Sequence, residues 1–264
     1  MKKYNFSAGP AKLHPSIISK AQESIIEYEN TGISILEISH RSNEYKEIME
    51  ELKINLTSLL NIPDDYFILL LQGGATYQNT FLPHNYGVDN KIDCLITGEW
   101  SKKTFEDFVL IKDTEKITLE DSKIEKFLSE DNGEYFKDTE YLHITSNETI
   151  NGIQIRDFKK INHPSLIVDM SSDLGSYKFD WENVKYIYAG AQKNMGIPGV
   201  TVCIVKDSFL TDDENPNYLN LKKLTNAGSV LNTPPTFSIY VLSLIHISEP
   251  TRRTPISYAV FCLK

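Results

Sequence analysis

Residues 184–194, Val-Lys-Tyr-Ile-Tyr-Ala-Gly-Ala-Gln-Lys-Asn, pass from a β-branched and aromatic run into a patch of small residues that ends on a lysine. VKYIYA (184–189) has the side chains that suit a pleated surface. The AGAQKN that follows (189–194) stops the strand and leaves Lys193 at its carboxyl end. Five more short, continuous apolar runs surround this one: YFILLL (66–71), CLIT (94–97), YLHIT (141–145), SLIVDM (165–170) and VTVCIV (200–205). Runs of that kind are strands covered on both faces. Helical segments lie among them. Residues 15–30 put Ile17, Ala21, Ile25 and Tyr28 on one face, with Pro15 at the start and Thr31-Gly32 at the end. Residues 43–60 do the same with Tyr45, Ile48, Met49, Leu52, Leu56 and Leu59, and Asn61-Ile-Pro63 closes them. Strands alternating with helices predict an α/β domain with a mostly parallel sheet. Asn151-Gly152 predicts a hairpin turn. The charge-rich stretch 112–138 predicts a solvated helix with loops.

The chain has 264 residues, enough for one large domain with a sizeable core. It carries 27 basic and 36 acidic residues, a net charge of −9, which argues against a nucleic-acid partner. Local basic pockets for a small anion are still compatible with that balance. Cys94, Cys203 and Cys262 form no CxxC pair, so neither a zinc site nor a disulfide framework is expected. No apolar segment follows Lys2-Lys3, and no run is long enough to span a membrane. A cytoplasmic protein with no metal and no membrane contact is the expectation.

The chemistry gathers at the carboxyl ends of the strands, where open α/β sheets bind ligands. A lysine there can lose its proton and attack a carbonyl to form a Schiff base. Most lysines are plain surface residues, so Lys193 alone argues little. Asp169, in LIVDMSSD at the end of another strand, could hold a protonated ring nitrogen, although a turn aspartate would read the same way. Gly73-Gly74-Ala75-Thr76 follows YFILLLQ and opens a helix, a phosphate cradle without the spelling of an ATPase loop. No GxGxxG occurs, which disfavours a nicotinamide dinucleotide. Trp100, just past CLIT, is either a core residue or a ring that stacks on a flat cofactor. Thr149, in SNETING, offers a hydroxyl to the same edge. A Schiff-base lysine, a carboxylate, a stacking ring and an anion cradle at one edge are what pyridoxal 5′-phosphate (PLP) needs. Their convergence weighs more than any one of them.

NFSAGPA (5–11), ISHRS (38–42), NETINGI (147–153), IYAGAQKNMGIPGVT (187–201) and NTPPTFSIY (232–240) closely resemble the phosphoserine aminotransferase family. The resemblance runs from about residue 4 to about 242. It implies the large domain of the aspartate-aminotransferase-like, fold-type I group of PLP enzymes. By that resemblance Lys193 carries the cofactor and moves the proton, Asp169 faces the pyridinium nitrogen and Trp100 stacks. Thr149 and Gln192 are implied as contacts at the ring hydroxyl and phosphate ends, and Ala75 and Thr76 as part of the phosphate loop. Some members have arginine where Thr76 stands. His40 and Arg41 are implied to grip the acidic groups of the substrate. Asn232 and Thr233 are implied to reach the cofactor phosphate of a neighbouring subunit, hence a homodimer with shared sites. The implied reaction exchanges an amino group between L-glutamate and 3-phosphohydroxypyruvate, in serine synthesis. The 4-phosphohydroxy-L-threonine step towards vitamin B6 is implied in many bacteria.

The resemblance stops near Leu242, short of the family's C-terminal small domain. From Ser243 the text, SLIHISEPTRRTPISYAVFCLK, has no sustained period. The expected division is therefore a PLP-binding region at 1–242, with the small domain largely missing, and a non-native tail at 243–264. Two alternatives follow: a catalytically incompetent fragment, or another fold-type I enzyme. A desulfurase fits poorly, because Cys94 and Cys203 fall inside strands and Cys262 lies in the tail.

Overall fold

Alternate side chains of the central strands enter two different cores, which is why their sequences are apolar throughout. The computed structural model describes residues 5–85, 92–111, 114–119, 121–136, 139–211 and 214–244. Among these, nine strands form in chain order: β1 (Tyr66–Leu71), β2 (Ile92–Ile96), β3 (Lys116–Thr118), β4 (Tyr141–Thr145), β5 (Asn147–Glu148), β6 (Ile153–Gln154), β7 (Leu166–Asp169), β8 (Val184–Gly190) and β9 (Thr201–Lys206). Seven make one sheet in the order β1-β9-β8-β7-β4-β2-β3. The helices are α1 (Pro15–Ile26), α2 (Asn43–Leu60), α3 (Gly74–Asn85), α4 (Glu99–Phe108), α5 (Asp121–Ser129), α6 (Leu221–Asn226) and α7 (Thr236–Ser243).

Ile68, Leu70, Ile187, Ala189, Val202 and Ile204 point into one core, which is closed by α1, α2 and α7. Their neighbours Leu69, Leu71, Tyr186, Tyr188, Cys203 and Val205 point into the other, closed by α3, α4 and α6. Each fully buried aliphatic side chain there stabilises the fold by roughly 1.5–3 kcal/mol. The helix α2 spans the predicted residues. Ser42 accepts a hydrogen bond from the Tyr45 amide at its start, and Asn61, left-handed at φ 50°, ends it. Helix α1 is shorter than its pattern: Glu27 is extended, and Glu29 and Asn30 take positive φ to turn the chain.

The parallel expectation holds for β8, β7, β4, β2 and β3, while β9 runs antiparallel to both its neighbours. The connection from β8 to β9, residues 191–200, is too short for a crossover helix, so the chain returns as a hairpin. Lys193 sits in that hairpin loop. The predicted turn at Asn151-Gly152 joins β5 to β6, with Gly152 at φ 77°. The stretch 112–138 is less solvated than its charge suggests. It adds β3 as an edge strand, and it buries Ile124, Phe127 and Phe136. Helix α7 runs unbroken through Ser243, and Leu244 after it is buried. The rest of the expected tail, 245–264, lies outside the described residues.

Candidate active site

Five strand ends open into one cavity of about 420 Å³, with Lys193, Asp169, Thr145, Trp100 and Thr76 among its walls. Helix α3 begins there with Gly74, Ala75 and Thr76, so the positive end of its dipole faces the cavity. Gly73 before it has φ 96°, and a Cβ would lie 2.5 Å from the Tyr77 side chain, so only glycine makes this turn.

A buried carboxylate builds the second wall. Glu148 accepts from the amides of Trp100 (2.9 Å) and Ser101 (2.8 Å), the first turn of α4. Gly98 lets it approach: a Cβ there would lie 2.7 Å from the Glu148 carboxyl. The indole Nε1 of Trp100 then donates to Thr149 Oγ1 at 2.9 Å, which fixes the plane of the ring. Lys193 Nζ stands over that ring, 5.1 Å from its centroid. The N-terminal segment closes on the same lysine. The Ala11 amide donates to the Gln192 carbonyl at 2.8 Å, and a Cβ on Gly9 would lie 3.2 Å from Lys193 Cγ.

Asp169 ends β7 and accepts from the Ser171 amide at 2.8 Å. Burial raises its pKa above the usual carboxylate value, while the Ser171 hydrogen bonds and the Lys193 cation pull the other way. Asp173, one turn further on, is buried and accepts from Ser146 (2.6 Å), Gln154 (3.0 Å) and Tyr177 (3.2 Å). Burial pushes it up to about 6.

The cavity suits PLP on observations of its own. Thr145 Oγ1 on its wall is buried without a partner, and Asp169 is a buried carboxylate beside the Lys193 cation. A protonated ring nitrogen would satisfy the second, and the helix end and glycine turn would receive a phosphate.

Of the residues expected at the site, Ala75, Thr76, Trp100, Asp169, Gln192 and Lys193 line this cavity, and Thr149 supports it through Trp100. His40 and Arg41 do not. They line a separate groove of about 730 Å³ with Lys46, Lys53, Gly228 and Val230. Asn232 and Thr233 are also outside the cavity. They are exposed, on a loop tied to the same sheet edge by Gln72 Nε2, which donates to the Thr233 carbonyl at 2.9 Å. Sequence reading missed Glu148, Gly98, Gly9 and Thr145. The first three act through contacts distant in sequence, and Thr145 passes for a core strand residue. Cys94 and Cys203 are buried, and burial pushes both thiols up, that of Cys203 to about 12. Neither is a nucleophile for this cavity.

A lysine, a carboxylate, an indole face and a helix N-terminus at the carboxyl edge of such a sheet define the large domain of a PLP-dependent aminotransferase. The sequence profile of the aminotransferase class-V family matches residues 3–245. Phosphoserine aminotransferase of Geobacillus kaustophilus is 41% identical over 247 residues, which is 92% of this chain and 68% of that protein. A phosphoserine aminotransferase structure from a study of radiation damage to its Schiff base superposes with TM-score 0.86 at 38% identity, covering 98% of this chain and 73% of that one. The PLP-bound phosphoserine aminotransferase of Trichomonas vaginalis superposes with TM-score 0.83 at 28% identity, over 98% and 74%. The chain belongs to the phosphoserine aminotransferase family of class-V aminotransferases, and its cofactor is PLP.

Proposed function

We propose that this chain moves an amino group from L-glutamate to 3-phosphohydroxypyruvate, giving 2-oxoglutarate and O-phospho-L-serine in the cytoplasm. The observation that carries this reading is the convergence of Lys193, Asp169, Trp100 and the α3 N-terminus on one cavity. Bound there, PLP supplies an electron sink for the charge left when substrate Cα loses its proton. Lys193 Nζ would hold the cofactor at rest and, once displaced from it by the substrate amine, would be the free base that takes the Cα proton. Asp169, ionised, pairs with the ring nitrogen and keeps it protonated. Trp100, locked by Thr149 and by the Glu148 cap, keeps the ring from tilting. The amides of Ala75 and Thr76 receive the phosphate.

Among the described residues, the cavity's walls include no arginine for a doubly acidic substrate. His40 and Arg41 supply that grip from the neighbouring subunit, and Asn232 and Thr233 reach across to its cofactor phosphate. Both pairs sit on exposed or groove positions away from their own chain's cavity, which supports this arrangement. The active unit is then a homodimer. The same phosphate and carboxylate contacts fit 4-phosphohydroxy-L-threonine in vitamin B6 synthesis. A second reading, a chain that binds PLP without turnover, draws on the same observation: a lone protomer lacks the substrate grip. Phosphoserine formation by the PLP-loaded chain, followed across a protein dilution series, separates the two. Activity that falls with dilution supports the shared site, and none at any concentration supports the second reading.

A further inference from the structure

Behind the cavity, the short hairpin that carries Glu148 and Thr149 is held at both ends by one carboxylate. Strands β5 and β6 pair over two residues each, Asn147 with Gln154 and Glu148 with Ile153. A ladder that short does not hold itself in place. Ser146, just before β5, donates its hydroxyl to Asp173 Oδ1 at 2.6 Å. Gln154, at the end of β6, donates from Nε2 to Asp173 Oδ2 at 3.0 Å. Tyr177 donates to the same Oδ2 at 3.2 Å, with the Ile155 carbonyl as a second acceptor at 3.3 Å. Asp173 itself is 0% exposed, in the turn that follows Asp169, where its amide donates to the Met170 carbonyl at 3.1 Å.

The donors decide what this carboxylate does. Ser146 has one hydroxyl proton and two acceptors in reach, Asp173 Oδ1 and the Asp169 carbonyl at 2.9 Å. That carbonyl already accepts from the Ser146 amide at 3.0 Å, so the shorter, charge-assisted bond to Asp173 takes the proton. Gln154 Oε1 accepts from Arg156 Nε at 2.8 Å, which turns the amide N–H towards Asp173. All three partners of Asp173 therefore donate, and an ionised carboxyl is acceptor-only. Burying that charge among neutral donors costs stability that a neutral side chain would not. What the arrangement fixes is the hairpin. Its β5 leg carries Glu148, which caps α4, and leads to Thr149, which accepts from the Trp100 indole. Asn147 adds a tie on that leg, donating from Nδ2 to Ser172 Oγ at 2.8 Å, while the β6 leg is tied through Gln154.

We propose that Asp173 is a positioning residue for the cofactor: by gripping Ser146 and Gln154 together, it holds the β5-β6 hairpin, and with it Trp100, in register with the Asp169 carboxylate. This rests on the reading of Trp100 as the stacking ring and Asp169 as the ring-nitrogen partner. One wall, Trp100, hangs from the hairpin. The other, Asp169, leads into the turn that carries Asp173, so a single carboxylate couples the two.

The test is read at the two tryptophan indoles of the 264-residue chain without cofactor, by ¹H–¹⁵N NMR. The Trp100 indole hydrogen reports the hairpin through Thr149. That of Trp181, which donates to the Leu60 carbonyl at 3.1 Å, reports the fold elsewhere. Gln154→Leu should speed exchange of the Trp100 indole hydrogen with water by about tenfold, the effect of one lost hydrogen bond to a charged group, and leave Trp181 as in wild type. Thr149→Val sets the fully released limit. Asp173→Ala should speed Trp100 at least as much, and adding Gln154→Leu to it should change nothing further. Gln154 is part-exposed, so Gln154→Leu decides the matter even if Asp173→Ala does not fold. PLP titration followed by absorbance should show several-fold weaker binding in Gln154→Leu, with an altered circular-dichroism band from the bound cofactor. A Trp100 indole unchanged in Gln154→Leu, Trp181 accelerating in step with it, additive effects of the two substitutions, or an unchanged PLP affinity overturns the proposal. If the indole results appear while wild type takes up no PLP, the clamp stands and the cofactor assignment is what has failed.

Discussion

Acid should destabilise this fold through His143, and the size of the effect follows from its burial. The imidazole is pushed from 6.5 down to about 3 because no water reaches it to solvate a cation. Between those values the unfolded chain binds one proton at this position that the native chain does not. Native stability from His143 therefore rises with pH through this window and is lost as pH falls. From pH 6.5 to pH 5 the loss is about 2 kcal/mol, at about 1.4 kcal/mol per pH unit. Asp173 acts in the opposite sense. Its folded pKa is raised to about 6, so its contribution is full at low pH and lost as pH rises through that value. The two partly cancel in the raw curve, so wild type alone is uninformative. The informative quantity is the difference between wild type and His143→Gln, in which the other groups cancel. Urea unfolding of both at pH 8 and pH 5 should show wild type losing about 2 kcal/mol more than the variant on acidification. Equal losses, within a few tenths of a kcal/mol, would show that His143 is not buried in the native state as described.

Three further outcomes follow from single contacts. Gly98→Ala drives a methyl into the Glu148 carboxyl and loosens the first turn of α4. It should cost about 1–3 kcal/mol in a thermal melt and weaken PLP binding through Trp100. Thr149→Val leaves the Trp100 indole N–H without its acceptor, so it should cost about 1 kcal/mol or somewhat more and lower PLP affinity a few-fold, read by fluorescence titration. If sites are shared between subunits, inactive Lys193→Ala and Arg41→Ala chains mixed under refolding conditions should regain activity. No recovery in the mixture would count against His40 and Arg41 serving the neighbouring site.

Much of the architecture is legible because burial on both faces leaves an unmistakable mark on a strand. YFILLL and YLHIT read off directly, and α2 is bounded by Ser42 and Asn61. The antiparallel course of β9 is not written in VTVCIV itself but in the brevity of the loop before it. Strand β3 escaped notice because a three-residue edge strand needs no apolar run, and its outer residues are exposed. Helix α1 stops at Ile26 although its apolar period continues to Tyr28, because the turn at Glu29 and Asn30 is set by backbone hydrogen bonds. At the site, Lys193, Asp169 and the glycine turn announce themselves through residue type and position after a strand. Glu148 looks like an ordinary turn acid in SNETING, and its role as a helix cap exists only once α4 is folded against it. Asp173 is hidden in the same way: it passes for a turn acid until Ser146, Gln154 and Tyr177 are folded around it.

The account stands most directly on one spectrum: visible absorption of the purified 264-residue chain with PLP, before and after L-glutamate, beside Lys193→Ala. The account predicts a yellow lysine-linked band in the wild-type chain that is absent from the variant and bleached by glutamate. A band identical in both chains, or one that glutamate leaves unchanged, would contradict it.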